Sequence, residues 1–352
     1  MTSFFCANMS RQQGEDIIGS ASLYQTYVMV ECPYPWTANA FESKGVPENF
    51  RELVAEIKEA KLPIRFLLTL GAKPTPGNQT QVLIFQQQQG LTTGYQKKEI
   101  KVDNIADVAP MIRKYLTPEG LHIEGELSTT RDFFVCTHGS HDKCCSRYGY
   151  PFFRKGVAMA EKLGLKADVT QPSPAGCWNA HQEYVRFWQV SHIGGHRFAP
   201  TLISFPDGRY YGALDEESLQ RILLHQGDIT CLNQVYRGWG ILPRKAQVLE
   251  RELILRHGWQ WLNNAVSCRI LQESPQEQQT QVELFYQTSQ GGTFTYQADI
   301  VEDKTKTLNL KGSCHADQPV KFTKYAAINI RQVDKVSSLD KKRSVARVEK
   351  SA

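Results

Sequence analysis

Two pairs of side chains in this sequence have the types and spacing of metal ligands. Cys136 and Cys145 lie in Phe-Val-Cys-Thr-His-Gly-Ser-His-Asp-Lys-Cys-Cys at 134–145, and His192 and His196 lie in Ser-His-Ile-Gly-Gly-His-Arg-Phe at 191–198. Two thiolates and two imidazoles are enough donors for one tetrahedral zinc ion, or for both irons of a [2Fe–2S] cluster. Cys144 is the second choice for the Cys145 thiolate, since adjacent cysteines do not comfortably share one metal edge.

Other chemistries fit the same residues less well. His-x-x-x-His matches a zinc-hydrolase helix, but that motif needs a Glu directly after the first His, and Ile193 stands there. Two consecutive glycines would also cost a helix about 2 kcal/mol relative to alanine. A thiol–disulfide enzyme built on Cys144 and Cys145 lacks the Cys-x-x-Cys spacing, and vicinal cysteines make strained disulfides. No pair of carboxylates suggests glycosidase chemistry. No Gly-x-Gly-x-x-Gly run follows a strand, so no flavin or nicotinamide site of the usual kind is expected.

The elements that must position the four ligands follow from local pattern. A strand at 131–135 ends at Cys136, and a helix at 150–163 follows Cys145. Backbone amides at a helix start favour a thiolate. The run at 182–190, rich in Tyr, Val, Phe and Trp, reads as a central strand leading to His192. The loops after these two strands meet at one end of a sheet. Gly194 and Gly195 would let the backbone approach a bulky cofactor and donate N–H bonds to it, with His138 supporting the site from outside the ligand set.

The first 125 residues show the same order of signals. Strands are expected at 24–30, 64–70 and 81–85, with helices at 47–60 and 104–116, the latter capped by Asn104. Residues 126–243 repeat the order and add an Asp-Gly hairpin across 201–214 and a helix at 215–225. The expected fold class is α/β, with two tandem thioredoxin-like units. The first (1–125) is degenerate, because 71–77 carries no ligand side chain; the second (126–243) carries the site. A small α+β domain (244–333) follows, with a helix at 249–262 and strands at 281–286, 293–298 and 307–311. Its Cys268, Cys314 and His315 are too scattered along the chain to suggest a second site.

Residues 334–352 hold six basic and three acidic side chains without periodicity and read as a disordered basic tail. That tail accounts for +3 of the net charge of +5, so the rest is near neutral and no nucleic-acid partner is expected. Nine cysteines, an odd number spread along 352 residues, suit a reducing compartment. With no long apolar run and no basic-then-apolar leader, the expectation is a cytoplasmic protein without a membrane span.

The motifs Cys-Thr-His-Gly-x-x-Asp-x-x-Cys at 136–145 and His-Ile-Gly-Gly-His-Arg-Phe-Ala at 192–199 carry a resemblance. Residues 130–215 resemble a thioredoxin-like [2Fe–2S] ferredoxin. The histidine pair, standing where that group has a second cysteine pair, narrows the resemblance to the sucrase/ferredoxin-like family over 1–240. The chain departs from the pattern at His141, where relatives carry Arg, and in the extra thiol of Cys144.

The resemblance implies a [2Fe–2S] cluster on Cys136, Cys145, His192 and His196, with both histidines on the same iron. It implies an electron carrier or redox sensor rather than a self-contained enzyme, working between donor and acceptor proteins that the sequence does not name. Electron transfer would be coupled to a proton on the free imidazole nitrogens. The alternative is a zinc-stabilised thioredoxin-like binding module without redox activity.

Overall fold

The computed structural model describes residues 4–72, 75, 77, 79–117, 130–165, 184–274 and 279–333. The tail expected at 334–352 lies outside the described residues. The first half contributes β1 (Thr26–Glu31), β2 (Ile64–Gly71), β3 (Thr80–Gln87) and β4 (Tyr95–Val102). The second contributes β5 (Arg131–Cys136), β6 (Val185–Val190), β7 (Leu202–Phe205), β8 (Arg209–Tyr211) and β9 (Tyr236–Trp239).

The two halves repeat one arrangement. In the first, β1 lies parallel to β2 and antiparallel to β3, and β3 lies antiparallel to β4. In the second, β5 lies parallel to β6 and antiparallel to β7, and β7 lies antiparallel to β8. They are nevertheless one mixed sheet, in the order β4-β3-β1-β2-β6-β5-β7-β8-β9. The junction is antiparallel and short, pairing Thr69 with Val190, Leu70 with Gln189 and Gly71 with Trp188. Local periodicity says nothing about this pairing. Its physical reason is that β2 and β6 are the outer strands of their halves, and each satisfies the other's open edge.

The joined sheet folds back on itself. β3 and β7 are five strands apart, which in a flat sheet is roughly 24 Å at about 4.8 Å per strand. Phe85 of β3 and Phe205 of β7 instead stack with ring centroids 4.1 Å apart, and Phe205 also meets Tyr27 at 5.1 Å. One face of the first half therefore packs on the second half. Alternation along each strand sends Val28, Val30, Val82 and Ile84 to the other face, where α2 (Glu48–Glu59) and α3 (Val108–Tyr115) cover them with Phe50, Leu53 and Ile112.

A buried ion network crosses the same interface. Asp132 on β5 accepts from Arg186 Nε at 2.7 Å and Trp188 Nε1 at 2.8 Å, and pairs with Lys97 Nζ of β4 at 2.6 Å. Glu99 completes it through Arg186 Nη2 at 2.6 Å. Burial alone would raise the Asp132 carboxyl, but the Arg186 and Lys97 cations overcome it and hold the group below the usual range.

Four helices complete the body around the site. α1 (Cys6–Gln12) packs against a helical turn at His196–Phe198, and α4 (Tyr150–Lys162) lies on β5 and β6. α5 (Glu216–Leu224) starts at Asp215, whose carboxylate accepts from the Ser218 N–H at 2.8 Å. α6 (Leu232–Val235) is a single turn leading into β9.

The last part of the chain is a second layer. α7 (Arg244–His257) packs against β9 on one side and against an antiparallel sheet on the other. That sheet has the order β10-β11-β12-β15, from β10 (Ala265–Ser274), β11 (Gln279–Gln287), β12 (Thr293–Glu302) and β15 (Tyr325–Val333). Between β12 and β15 sits the hairpin of β13 (Leu308–Lys311) and β14 (Pro319–Phe322). Being covered on both sides, α7 has no single apolar stripe, so periodicity places it too late, at 249–262. It starts at Arg244 and ends at Gly258, whose φ of 74° suits glycine at a helix terminus.

Candidate metal centre

β5 and β6 deliver the predicted ligands to one end of the sheet. Cys136 is the last residue of β5, and Cys145 opens a π-helical turn, Cys145–Gly149, that runs into α4. Gly149 lets this turn lie directly on the strand end, since a Cβ there would overlap the Cys136 carbonyl. His192 follows β6, and Gly194 and Gly195, with φ of 84° and 73°, reverse the chain into the turn that starts at His196.

The donor atoms of Cys136, Cys145 and His192 lie within 4.8 Å of one another, with both thiols buried. Cys145 Sγ is 3.9 Å from His192 Nδ1. The hydrogen bond from Cys145 pulls the Cys136 thiol well below the usual thiol range, and the same bond pushes Cys145 up. A thiolate is therefore already favoured at the end of β5.

His192 is held from two sides. Its backbone N–H donates to His138 Nδ1 at 3.2 Å, and His138 Nε2–H donates to the Thr37 carbonyl at 2.7 Å. The His192 ring stacks on His141 with centroids 3.8 Å apart. His138 is buried, and desolvation lowers its pKa, so it serves as a neutral hydrogen-bond relay.

The 33–40 loop of the first half lies over this loop. Ser140 Oγ donates to the Trp36 carbonyl at 2.5 Å, and Tyr34 hydrogen-bonds Thr137. Cys32, the first half's counterpart of Cys136, is buried beside Trp36, and burial pushes its thiol up to about 11.

His196 stands apart from that trio. Its ring centroid is 5.3 Å from that of His192, but its Nδ1 is 3.2 Å from Asp142 Oδ2 and 3.4 Å from Cys6 Sγ. Burial lowers its pKa to about 4. The two glycines before it have different surroundings. A Cβ on Gly195 would fall 2.6 Å from the buried Arg237 guanidinium, whereas one on Gly194 would meet nothing within 4 Å. Arg237 Nη1 donates to the Gly194 carbonyl at 3.0 Å, which fixes the turn. Ile193 is buried in the core.

Cys144 points away from Cys145, into a second group. Its Sγ is 3.5 Å from Cys6 Sγ and 3.3 Å from Cys314 Sγ, and the last two lie 3.7 Å apart. Cys314 thus joins a cluster despite its isolation in the sequence. Cys6, Asp142 and Cys314 are the site-region residues that sequence reasoning missed. Only Asp142 left a signal, as the fixed Asp of the 136–145 motif.

The sequence pattern of the sucrase/ferredoxin-like family matches residues 17–238. The chain belongs to the sucrase/ferredoxin-like family. No curated protein and no solved structure matches it. The matched span of this sucrase/ferredoxin-like protein takes in both candidate ligand loops and stops before α7. Among the described residues, no helix is long and apolar enough to cross a membrane.

Proposed function

We propose that this sucrase/ferredoxin-like protein binds a [2Fe–2S] cluster through Cys136, Cys145, His192 and His196 and serves as an electron carrier or redox sensor. The carrying observation is the convergence of two buried thiols with the His192 imidazole, with the His196 ring 5.3 Å from that of His192. The donor chemistry fits, since two soft thiolates and two imidazoles suit iron in this form. When bound, the cluster supplies one-electron redox chemistry, at potentials of roughly −150 to +300 mV for centres with mixed Cys and His ligands.

The chain's own residues prepare that chemistry. The Cys136–Cys145 pair needs to lose only one further proton once Cys136 is a thiolate. His138 fixes the backbone of His192, and the 33–40 loop limits water around it. Asp142 faces His196 Nδ1, where it stabilises a proton on that nitrogen, so electron and proton transfer are coupled. The two repeated halves are read as tandem thioredoxin-like units, the first without ligands, in a protein that works in a reducing cytoplasmic compartment between donor and acceptor proteins.

A zinc-stabilised binding module is the second reading, favoured by one feature. The Cys136, Cys145 and His192 donor atoms are close enough for a single tetrahedral ion as they stand. Anaerobic visible absorption with iron and zinc analysis separates the two. Sulfur-to-iron charge-transfer bands and two irons per chain support the cluster. A colourless protein whose only metal is zinc at these residues overturns it. A midpoint potential that stays flat from neutral to alkaline pH removes the proton coupling alone.

A further inference from the structure

We propose that Cys6, Cys144 and Cys314 form a second, separate site for a thiophilic divalent cation of the zinc class, closed by the Asp142 carboxylate. Three thiols converge here from parts of the chain remote in sequence: the first helix, the 136–145 loop and the segment between β13 and β14. Their mutual Sγ distances are 3.3, 3.5 and 3.7 Å, and Asp142 Oδ1 lies 4.0 Å from Cys6 Sγ. A tetrahedral zinc with bonds of about 2.3 Å to sulfur places its sulfurs about 3.8 Å apart, so the triangle needs almost no rearrangement. A four-iron cluster would put each thiolate on a different iron and spread them further.

The surroundings favour a built site over a chance contact. Cys6, Cys144 and Asp142 are buried. Asp142 is anchored by the N–H groups of Cys144 at 2.9 Å and Cys314 at 3.0 Å, so the carboxylate is fixed before any ion arrives. Two of the three converging segments, the N-terminal one and the hairpin, are already tied together nearby. Glu15 binds Arg197 at 2.9 Å and Lys324 at 2.7 Å, linking the N-terminal segment, the His196 turn and the end of the hairpin.

Binding would displace protons from the thiols and involves no electron transfer. The consequence is mechanical. One ion would lock the last layer of the chain to the loop that carries Cys145, and Asp142 would connect the ion to His196. A structural thiolate site adds its binding energy to folding.

The test counts zinc and iron per chain in the full-length protein, purified under reducing conditions without chelator, and reads zinc coordination by X-ray absorption. One zinc with three sulfurs and one lighter donor is expected, present also in Cys136→Ser. Cys314→Ser should lose that zinc while keeping its visible bands, and Cys268→Ser should keep both. The proposal is overturned if the wild-type protein takes up no zinc from added zinc chloride, or if Cys314→Ser retains it. A disulfide among the three cysteines, seen as a loss of two hydrogens in intact mass, overturns it as well. Should Cys314→Ser fail to fold, the wild-type spectrum decides alone. Two sulfurs and two nitrogens would assign the zinc to Cys136, Cys145, His192 and His196, against both this site and the iron reading.

Discussion

Cys144 and Cys145 are neighbours in the chain and belong to different clusters. Cys145 Sγ lies 3.9 Å from His192 Nδ1, whereas Cys144 Sγ lies 3.5 Å from Cys6 Sγ. Consecutive residues entering a helical turn point in directions about 100° apart, so one pair of cysteines can serve two sites.

This divergence makes the two thiols separable by mutation. Cys145→Ser is expected to abolish iron binding and visible absorption, whereas Cys144→Ser keeps both. Equal bleaching in the two variants would show that the division between clusters is wrong.

His138 is expected to tune the centre without binding it. His138→Ala removes the acceptor for the His192 N–H and the link to Thr37. Loss of such an outer partner typically lowers metal affinity about 10–100-fold. The rate of iron transfer to an external chelator reads this directly, and an unchanged rate would leave His138 without a role at the centre.

The two glycines between the histidines should respond differently to alanine. Gly194→Ala meets open space and carries only the left-handed backbone penalty, about 1–2 kcal/mol. Gly195→Ala adds a collision with Arg237 and should destabilise the protein more in chemical denaturation. Equal losses would mean that Arg237 gives way freely.

The buried Asp132 network sets an acid limit on stability. A carboxyl whose folded pKa is depressed stabilises the fold above its unfolded pKa, about 3.9, and loses that contribution as pH falls through the folded value. Asp132→Asn leaves Arg186 and Lys97 with Glu99 as their acidic partner, and should cost about 3–5 kcal/mol near neutral pH. The gap between wild type and variant should narrow only in strong acid. A gap that already closes at pH 5 would contradict the depressed carboxyl.

Much of the local structure that carries the candidate ligands was legible in the sequence. Cys136 at the end of a strand, Cys145 at a helix start and the Gly-Gly reversal between His192 and His196 are set by neighbours in the chain. Asn104 acts as a cap where short-range pattern puts it, although it opens a 3-10 turn, Ile105–Asp107, before the helix proper, and Asp215, expected as the first helical residue, caps its helix instead. β4, β9 and β15 left weaker signals, since β4 reads Tyr-Gln-Lys-Lys-Glu-Ile-Lys-Val and carries its charges inward to Asp132 and outward to solvent.

What the sequence by itself determined is the chemistry available: which donors exist, and which loops carry them. The tertiary structure alone decided the partners. It paired β2 with β6, folded Phe85 onto Phe205, and brought Cys6 and Cys314 together across a separation of 308 residues. Helix and strand periods reflect the nearest few residues, whereas these contacts arise from satisfying open sheet edges and burying apolar faces over the whole chain.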